Sequence, residues 1–290
     1  MKSSKLLELL KEIENGSISA IEAQKKLGSY NFVDVDSITL DLSRQQRNGT
    51  PEVIYSETKT DEQLTSISEA YKKRNVDALF SRLQPKQLQA VESVLFGGRY
   101  NKSGRTFLWR SPTSKLPLDA PSKDNKWGKD KKQDKLDDLT NSDSIGFSDT
   151  SDSLLKPDLS KVIIVSAGSS DAFVVDEISE TLFFVYGQLP TVISDCGVAG
   201  IHRILSYSEV LAGAKAIVAV AGMDGALPTV VAGLTKAPVI AVPTSVGYGP
   251  LGNGIAPLIG MLSSCAPGLV VVNVDNGIGA AFAVCRMVRG

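Results

Sequence analysis

Short apolar runs alternate with stretches of helical period through residues 161–290. The runs at 162–166, 191–194, 216–221, 239–242 and 270–274 are rich in Val, Ile and Ala with little polar alternation, the mark of strands buried on both faces. Residues 172–186, 207–214, 225–234, 255–264 and 278–288 carry apolar residues at the spacing of helices. Strands and helices alternating in this way predict an α/β domain, a parallel sheet covered on both sides.

The first part of the chain has a weaker pattern. Leu6, Leu9, Leu10 and Ile13 recur at helical spacing, Gly16 interrupts, and 17–27 resumes behind Ser19, so residues 3–28 predict a helical pair. Strands at 53–55, 76–81 and 106–109 and helices at 60–74 and 85–96 complete a small α/β module over residues 1–112. Residues 113–158 differ in kind. Eighteen of these 46 positions are charged, nearly all Lys or Asp, with Ser, Pro and Asn between them and Trp127 alone. Such a stretch buries too little apolar surface to offset ordering, and is expected to be a disordered linker. The remaining residues, 159–290, suit a flavodoxin-like doubly wound domain, whose ligands sit beyond the carboxyl ends of the strands.

Composition sharpens this division. The 290 residues carry 31 basic and 32 acidic side chains, a balance that argues against a nucleic-acid binder. Residues 161–290 hold only 14 of the charges but 17 of the 25 glycines. A half this apolar must bury most of its surface within itself or against copies of itself. Its apolar runs fall short of the roughly 20 residues that cross a bilayer. The N-terminal leucines are interrupted by Glu8, Lys11, Glu12 and Glu14, unlike a signal peptide. Three cysteines without CxxC spacing make neither a disulfide scaffold nor a zinc site. The expected location is reducing: cytoplasm, or an organelle stroma or matrix.

Candidate chemistry lies in the loops after the strands. Gly168, Ser169, Ser170 and Asp171 stand directly before a helix, where glycine and free N–H groups suit an anion, or where Ser170 or Asp171 simply caps. The second loop, 195–203, contains His202, the only histidine, beside Arg203, which suits bidentate contact with phosphate or carboxylate. Gly222, Met223 and Asp224 follow the third strand, Asp224 being a cap or a general base. Ser245, Gly247 and Tyr248 follow the fourth, in a loop suited to covering a ligand or to a tight connection. Cys265 precedes the fifth strand, as an inert thiol or a nucleophile, and Cys285 falls inside an apolar helix.

These loops together resemble the LarB family, pyridinium-3,5-biscarboxylic acid mononucleotide synthases of nickel-pincer nucleotide biosynthesis, whose catalytic domain is similar to the PurE-type aminoimidazole ribonucleotide (AIR) carboxylases. The residues that carry the resemblance are 168–171, Gly197-Val198-Ala199-Gly200-Ile201-His202-Arg203, 221–228, Val242-Pro243-Thr244-Ser245-Val246-Gly247-Tyr248-Gly249, Ser264-Cys265-Ala266 and Asn273-Val274-Asp275-Asn276-Gly277. Leu40-Asp41-Leu42, Arg44, Arg47, Gly49 and Pro51-Glu52-Val53 look like the family's leading domain. Aminoimidazole carboxylases carry a histidine where this chain has Ala226, and lack a counterpart of the Cys265 segment.

The resemblance implies nicotinic acid adenine dinucleotide as substrate, with carbon dioxide or bicarbonate as co-substrate and Mg²⁺ for the anhydride step. It implies Cys265 as a covalent nucleophile and Asp224, in place of the family's usual Glu, as base or activator. His202 would transfer a proton, and Arg203, Ser170 and Asp171 would hold phosphate and ribose. A homo-oligomer, an octamer by resemblance, is expected. The alternatives are an AIR carboxylase/mutase of purine biosynthesis, and a nucleotide-binding regulator that has lost catalysis.

Overall fold

The computed structural model describes residues 3–23, 32–35, 38–42, 44–120, 157–249 and 251–288, in two compact units divided between Leu118 and Asp119. Of the expected linker, residues 121–156, Trp127 among them, lie outside the described residues, as do residues 24–28 of the expected second N-terminal helix.

In the first unit, helix α1 spans Ser3–Glu14, and strands β1 (Phe32–Val35) and β2 (Ile38–Asp41) form an antiparallel hairpin. A short helix, α2 (Arg44–Asn48), leads to β3 (Ile54–Tyr55), α3 (Asp61–Arg74), β4 (Ala78–Ser81), α4 (Leu88–Glu92), β5 (Arg99–Asn101) and β6 (Thr106–Trp109). The second sheet runs in the order β3-β4-β6-β5, parallel only between β3 and β4. Helix α3 starts where it does because Thr60 and Gln63 form a reciprocal capping box, and stops at Asn75, which takes the left-handed conformation. Its Leu64, Ile67 and Tyr71 join Phe80 and Phe107 in the core, the two phenyl rings meeting edge to face at 6.2 Å. The expected helix at 85–96 begins as a 3₁₀ turn over Pro85–Gln87 and ends at Glu92.

The second unit is the doubly wound α/β domain expected. Its strands are β7 (Val162–Ser166), β8 (Thr191–Ile193), β9 (Ala216–Ala221), β10 (Val239–Pro243) and β11 (Leu269–Val271), all parallel in the order β11-β10-β9-β7-β8. Every residue of β7, β9 and β10 is buried, which is why those runs lack polar alternation. Helices α5 (Ala172–Tyr186) and α10 (Gly277–Met287) pack on each other. Helices α6 (Ile201–Leu205), α7 (Ser208–Ala212), α8 (Leu227–Ala232) and α9 (Ile255–Leu262) complete the unit. Ile204, Leu211, Leu227, Val231 and Met261 from these four share one core with the inward side chains of the sheet. Helix α6 lies within the glycine-rich second loop, where no helix was expected.

Glu177 of α5 is fully buried, and its Oε2 accepts the Gly277 N–H at 2.9 Å. It satisfies a donor at the start of α10, where negative charge is favoured. Among the described residues no helix is long and apolar enough to cross a membrane.

Candidate active site

The loops after β7, β8, β9 and β10, and the turn after β11, emerge at the carboxyl edge of the sheet and are tied to one another. Cys196 N–H donates to Ser166 O (2.9 Å), Thr244 N–H to Ala221 O (3.0 Å) and Asp275 N–H to Pro243 O (2.8 Å). Met223, at φ +56°, donates its N–H to Val246 O at 3.1 Å. Gly222 is required for that approach, since a Cβ there would lie 2.1 Å from the same carbonyl oxygen. Ser245 N–H donates to Asp275 Oδ1 at 2.8 Å.

Ser169 and Ser170 are exposed at this edge, whereas Asp171 is 3% exposed. Its Oδ2 accepts the Gly168 N–H (2.9 Å) and its Oδ1 the Thr244 hydroxyl (2.8 Å). Burial holds its carboxyl above the usual range, against the pull of those two bonds, and Asp275 pushes it further up. Asp171 stands at the N-cap of α5, but its side chain makes no capping bond to that helix and closes back on Gly168 across the 3₁₀ turn at 169–171.

In the second loop, His202 is exposed and Arg203 is half-buried. Arg203 Nη1 pairs with Asp195 Oδ2 at 3.0 Å, and Nη2 donates to Gly197 O at 3.4 Å, so the guanidinium is oriented by its own loop. Cys196 is buried, which pushes its thiol pKa up, with Arg203 pulling the other way.

Asp224 is exposed, and its Oδ1 accepts the Ala226 N–H at 3.3 Å ahead of α8. Helix α9, which leads to Cys265, runs alongside. A Cβ on Gly260 would lie 2.7 Å from Asp224 O, and one on Gly225 would lie 2.9 Å from the Pro257 backbone. Ser264 Oγ and Thr229 Oγ1 are 2.8 Å apart, and Ser264 Oγ accepts the Ala266 N–H. Of the three cysteines, Cys265 is exposed while Cys196 and Cys285 are buried. Ser245, Gly247 and Tyr248 are exposed, Tyr248 at 87%. The structure thus sets Cys265 and Asp224 on adjoining segments and gathers the loops after β7, β9 and β10. His202 and Arg203 follow β8, four strand spacings from β11, about 19 Å across the sheet.

In the first unit Arg47 forms a two-pronged ion pair with Asp41, and Glu52 Oε2 accepts the Asp41 N–H at 2.7 Å. These motif residues brace one another around α2. Among the described residues no three or more His, Cys, Asp or Glu side chains come together as a metal site.

Residues 32–111 match the LarB/PurE-like N-terminal domain, and residues 161–289 match AIR carboxylase. The chain is also 32% identical over 284 residues to an uncharacterized protein of Methanocaldococcus jannaschii, covering 95% of this chain and 93% of that one. With a leading domain of the LarB type ahead of a flavodoxin-like AIR carboxylase domain, the chain belongs to the LarB family and is a carboxylase-type enzyme with a PurE-like catalytic domain.

Proposed function

We propose that the protein carboxylates the pyridinium ring of nicotinic acid adenine dinucleotide through a Cys265 adduct and hydrolyses the phosphoanhydride, releasing AMP and pyridinium-3,5-biscarboxylic acid mononucleotide. The observation that carries this reading is the exposed Cys265, three residues past the end of α9, whose Gly260 abuts the Asp224 carbonyl. An electron-poor pyridinium ring does not attack carbon dioxide. Addition of the Cys265 thiolate at C4 turns it into a dihydropyridine whose C5 is enamine-like and nucleophilic. C5 then forms its bond to carbon dioxide, a base takes the C5 proton, and the C4–S bond breaks, returning the electron pair to sulfur and restoring the aromatic ring. Asp224 is assigned the proton transfer or the activation of Cys265, and His202 a further proton transfer. Water then cleaves the anhydride. Gly168, Ser169, Ser170, Arg203, Gly222, Met223, Ser245, Gly247 and Tyr248 are assigned to the nucleotide. The described residues do not compose a protein-held Mg²⁺ cage, so a Mg²⁺ ion enters this reading only with the substrate's own phosphates.

Incubation with the dinucleotide, bicarbonate and Mg²⁺, followed by mass spectrometry, is expected to yield the dicarboxylated mononucleotide and AMP. Turnover of aminoimidazole ribonucleotide instead would move the assignment to an AIR carboxylase, the reading favoured by the match over residues 161–289 alone. Binding of either nucleotide without turnover would leave the regulator.

The same proposal includes a homo-oligomer, an octamer by family resemblance. Ile255, Ile259 and Leu262 of α9 are 44%, 53% and 66% exposed, and Ile201 and Leu205 of α6 are 43% and 44% exposed. Two apolar surfaces on separate helices suit a head-to-tail contact that closes into a ring. Such a contact would set His202 of one copy near Cys265 of the next. Light scattering is expected to report an assembly, and Cys265→Ala and His202→Asn chains refolded together are expected to regain activity that neither has alone. A monomer, or mixtures as inactive as their components, would refute the shared site.

A further inference from the structure

We infer that Thr229 is a positioning residue that, through the hydroxyl of Ser264, sets Cys265 in one frame with Asp224. This rests on the reading above, in which Cys265 is the nucleophile and Asp224 its base or activator. Thr229 Oγ1 and Ser264 Oγ are 2.8 Å apart, and both residues are partly buried. Ser264 Oγ also accepts the Ala266 N–H at 3.2 Å, so one hydroxyl oxygen links residues 264 and 266 across Cys265. Cys265 itself is exposed, and its backbone makes no hydrogen bond of its own among the described residues. The place of its thiol therefore depends on the bonds of its neighbours.

Helix α8 is what joins the two groups. Asp224 stands at its entrance, where Oδ1 accepts the Ala226 N–H at 3.3 Å, and Thr229 lies in its first turn, five positions on. The chain leading to Cys265 meets this region along one line. Pro257, Gly260 and Ser264 are three and four positions apart, the spacing of neighbours on a helix face. Gly225 abuts the Pro257 backbone and Gly260 the Asp224 carbonyl. The hydroxyl pair continues that contact after α9 has ended at Leu262. The close backbone approaches thus fix α9, while the turn beyond it needs a hold of its own. Ser263 and Ser264 donate their N–H groups back to Ile259 O and Met261 O, and Pro267 has no N–H to give. Among the described residues, the bond to Thr229 is the one hydrogen bond from 263–267 that reaches another element.

The test uses Thr229→Val, which keeps the shape and removes the hydroxyl, with Thr229→Ser, Ser264→Ala and the double variant Thr229→Val/Ser264→Ala. Asp224→Asn, alone and with Thr229→Val, completes the set. For Thr229→Val we expect kcat on the dinucleotide to fall about 30-fold with KM nearly unchanged, because a misplaced nucleophile costs the transition state and not substrate binding. Thr229→Ser is expected to restore kcat. The double variant with Ser264→Ala should be no worse than the poorer single one, as for two ends of one interaction. In the Asp224→Asn background, Thr229→Val should cost no more than about threefold, since the geometry it protects has lost its second member. Hydrogen exchange, read without substrate, should be faster at residues 264–266 in Thr229→Val and recover in Thr229→Ser. Should Thr229→Val not fold, Ser264→Ala makes the same comparisons from the partner side of the bond. A raised KM at constant kcat with unchanged exchange would mean that Thr229 touches the nucleotide, and would overturn the inference. So would a Thr229→Ser chain as slow as Thr229→Val, or an undiminished loss in the Asp224→Asn background. If the wild type turns over no dinucleotide, the functional reading fails by itself, and the exchange comparison still decides whether Thr229 holds the turn at Cys265.

Discussion

Cys265→Ala is expected to abolish carboxylation, by at least about 10⁴-fold, as removal of a covalent nucleophile does. The oligomer and the unfolding midpoint should stay as they are, because the side chain is exposed and its removal opens no cavity. The segment itself is held by other contacts: the Ser264 and Thr229 hydroxyls, the Ala266 N–H on Ser264 Oγ, and the approach of Gly260 to the Asp224 carbonyl. A sulfhydryl reagent separates the chemistry from the fold. It should label Cys265 well before Cys196 and Cys285, which are buried, and nicotinic acid adenine dinucleotide should protect Cys265. Residual carboxylation in Cys265→Ala above about one part in 10³ of wild type would remove the covalent step from the mechanism. A collapse of the assembly in the same variant would make the residue structural.

Glu177→Ala is expected to cost about 3 kcal/mol, since it opens space between α5 and α10 and removes the nearer of the two acceptors of the buried Gly277 N–H, leaving the Asp275 carbonyl at 3.1 Å. Glu177→Gln keeps an acceptor oxygen and should cost less. Urea unfolding measures both, with a lower midpoint and an unchanged slope. If alanine and glutamine shift the midpoint equally, the carboxylate is not acting as an acceptor for α10. The geometry gives the reason for expecting a large effect. A Cβ on Gly277 would lie 2.6 Å from Glu177 Oε2, so the carboxylate fills the space a side chain would take.

The sequence pattern revealed the catalytic domain well because its three inner strands are buried on both faces, and uninterrupted Val, Ile and Ala runs report that directly. The edge strands blurred: β8 ends at Ile193 rather than 194, and β11 occupies 269–271 rather than 270–274. Past β11 apolar character continues at Val272 and Val274 beyond the last ladder bond, so composition overstates that strand's length. Helix α6 was hidden by the glycines before it, and the expected helix at 207–214 narrows to Ser208–Ala212. In the first unit the hairpin of β1 and β2 and the strand β5 went unnoticed, each being three or four residues with mixed polarity.

At the candidate site, the local pattern around Asp171 allowed an anion contact or a cap. The buried partner of Asp171 is Thr244, 73 residues away, and no local window contains both. The same holds for Gly222, whose need for a missing side chain arises from Val246 in another loop. The exposed state of Cys265 depends on how α9 lies on α8, again a matter of packing rather than spacing.

The bond between Glu177 and Gly277 joins residues 100 positions apart. On a ribosome adding about 5–20 residues each second, Glu177 is made roughly 5–20 s before its partner appears. During that interval β7 to β10 can pair in the order they emerge, since β9 docks on β7 and β10 on β9. The face of α5 that packs on α10 has no partner helix during that interval. That side of the domain's core is therefore completed only when its final helix has been made.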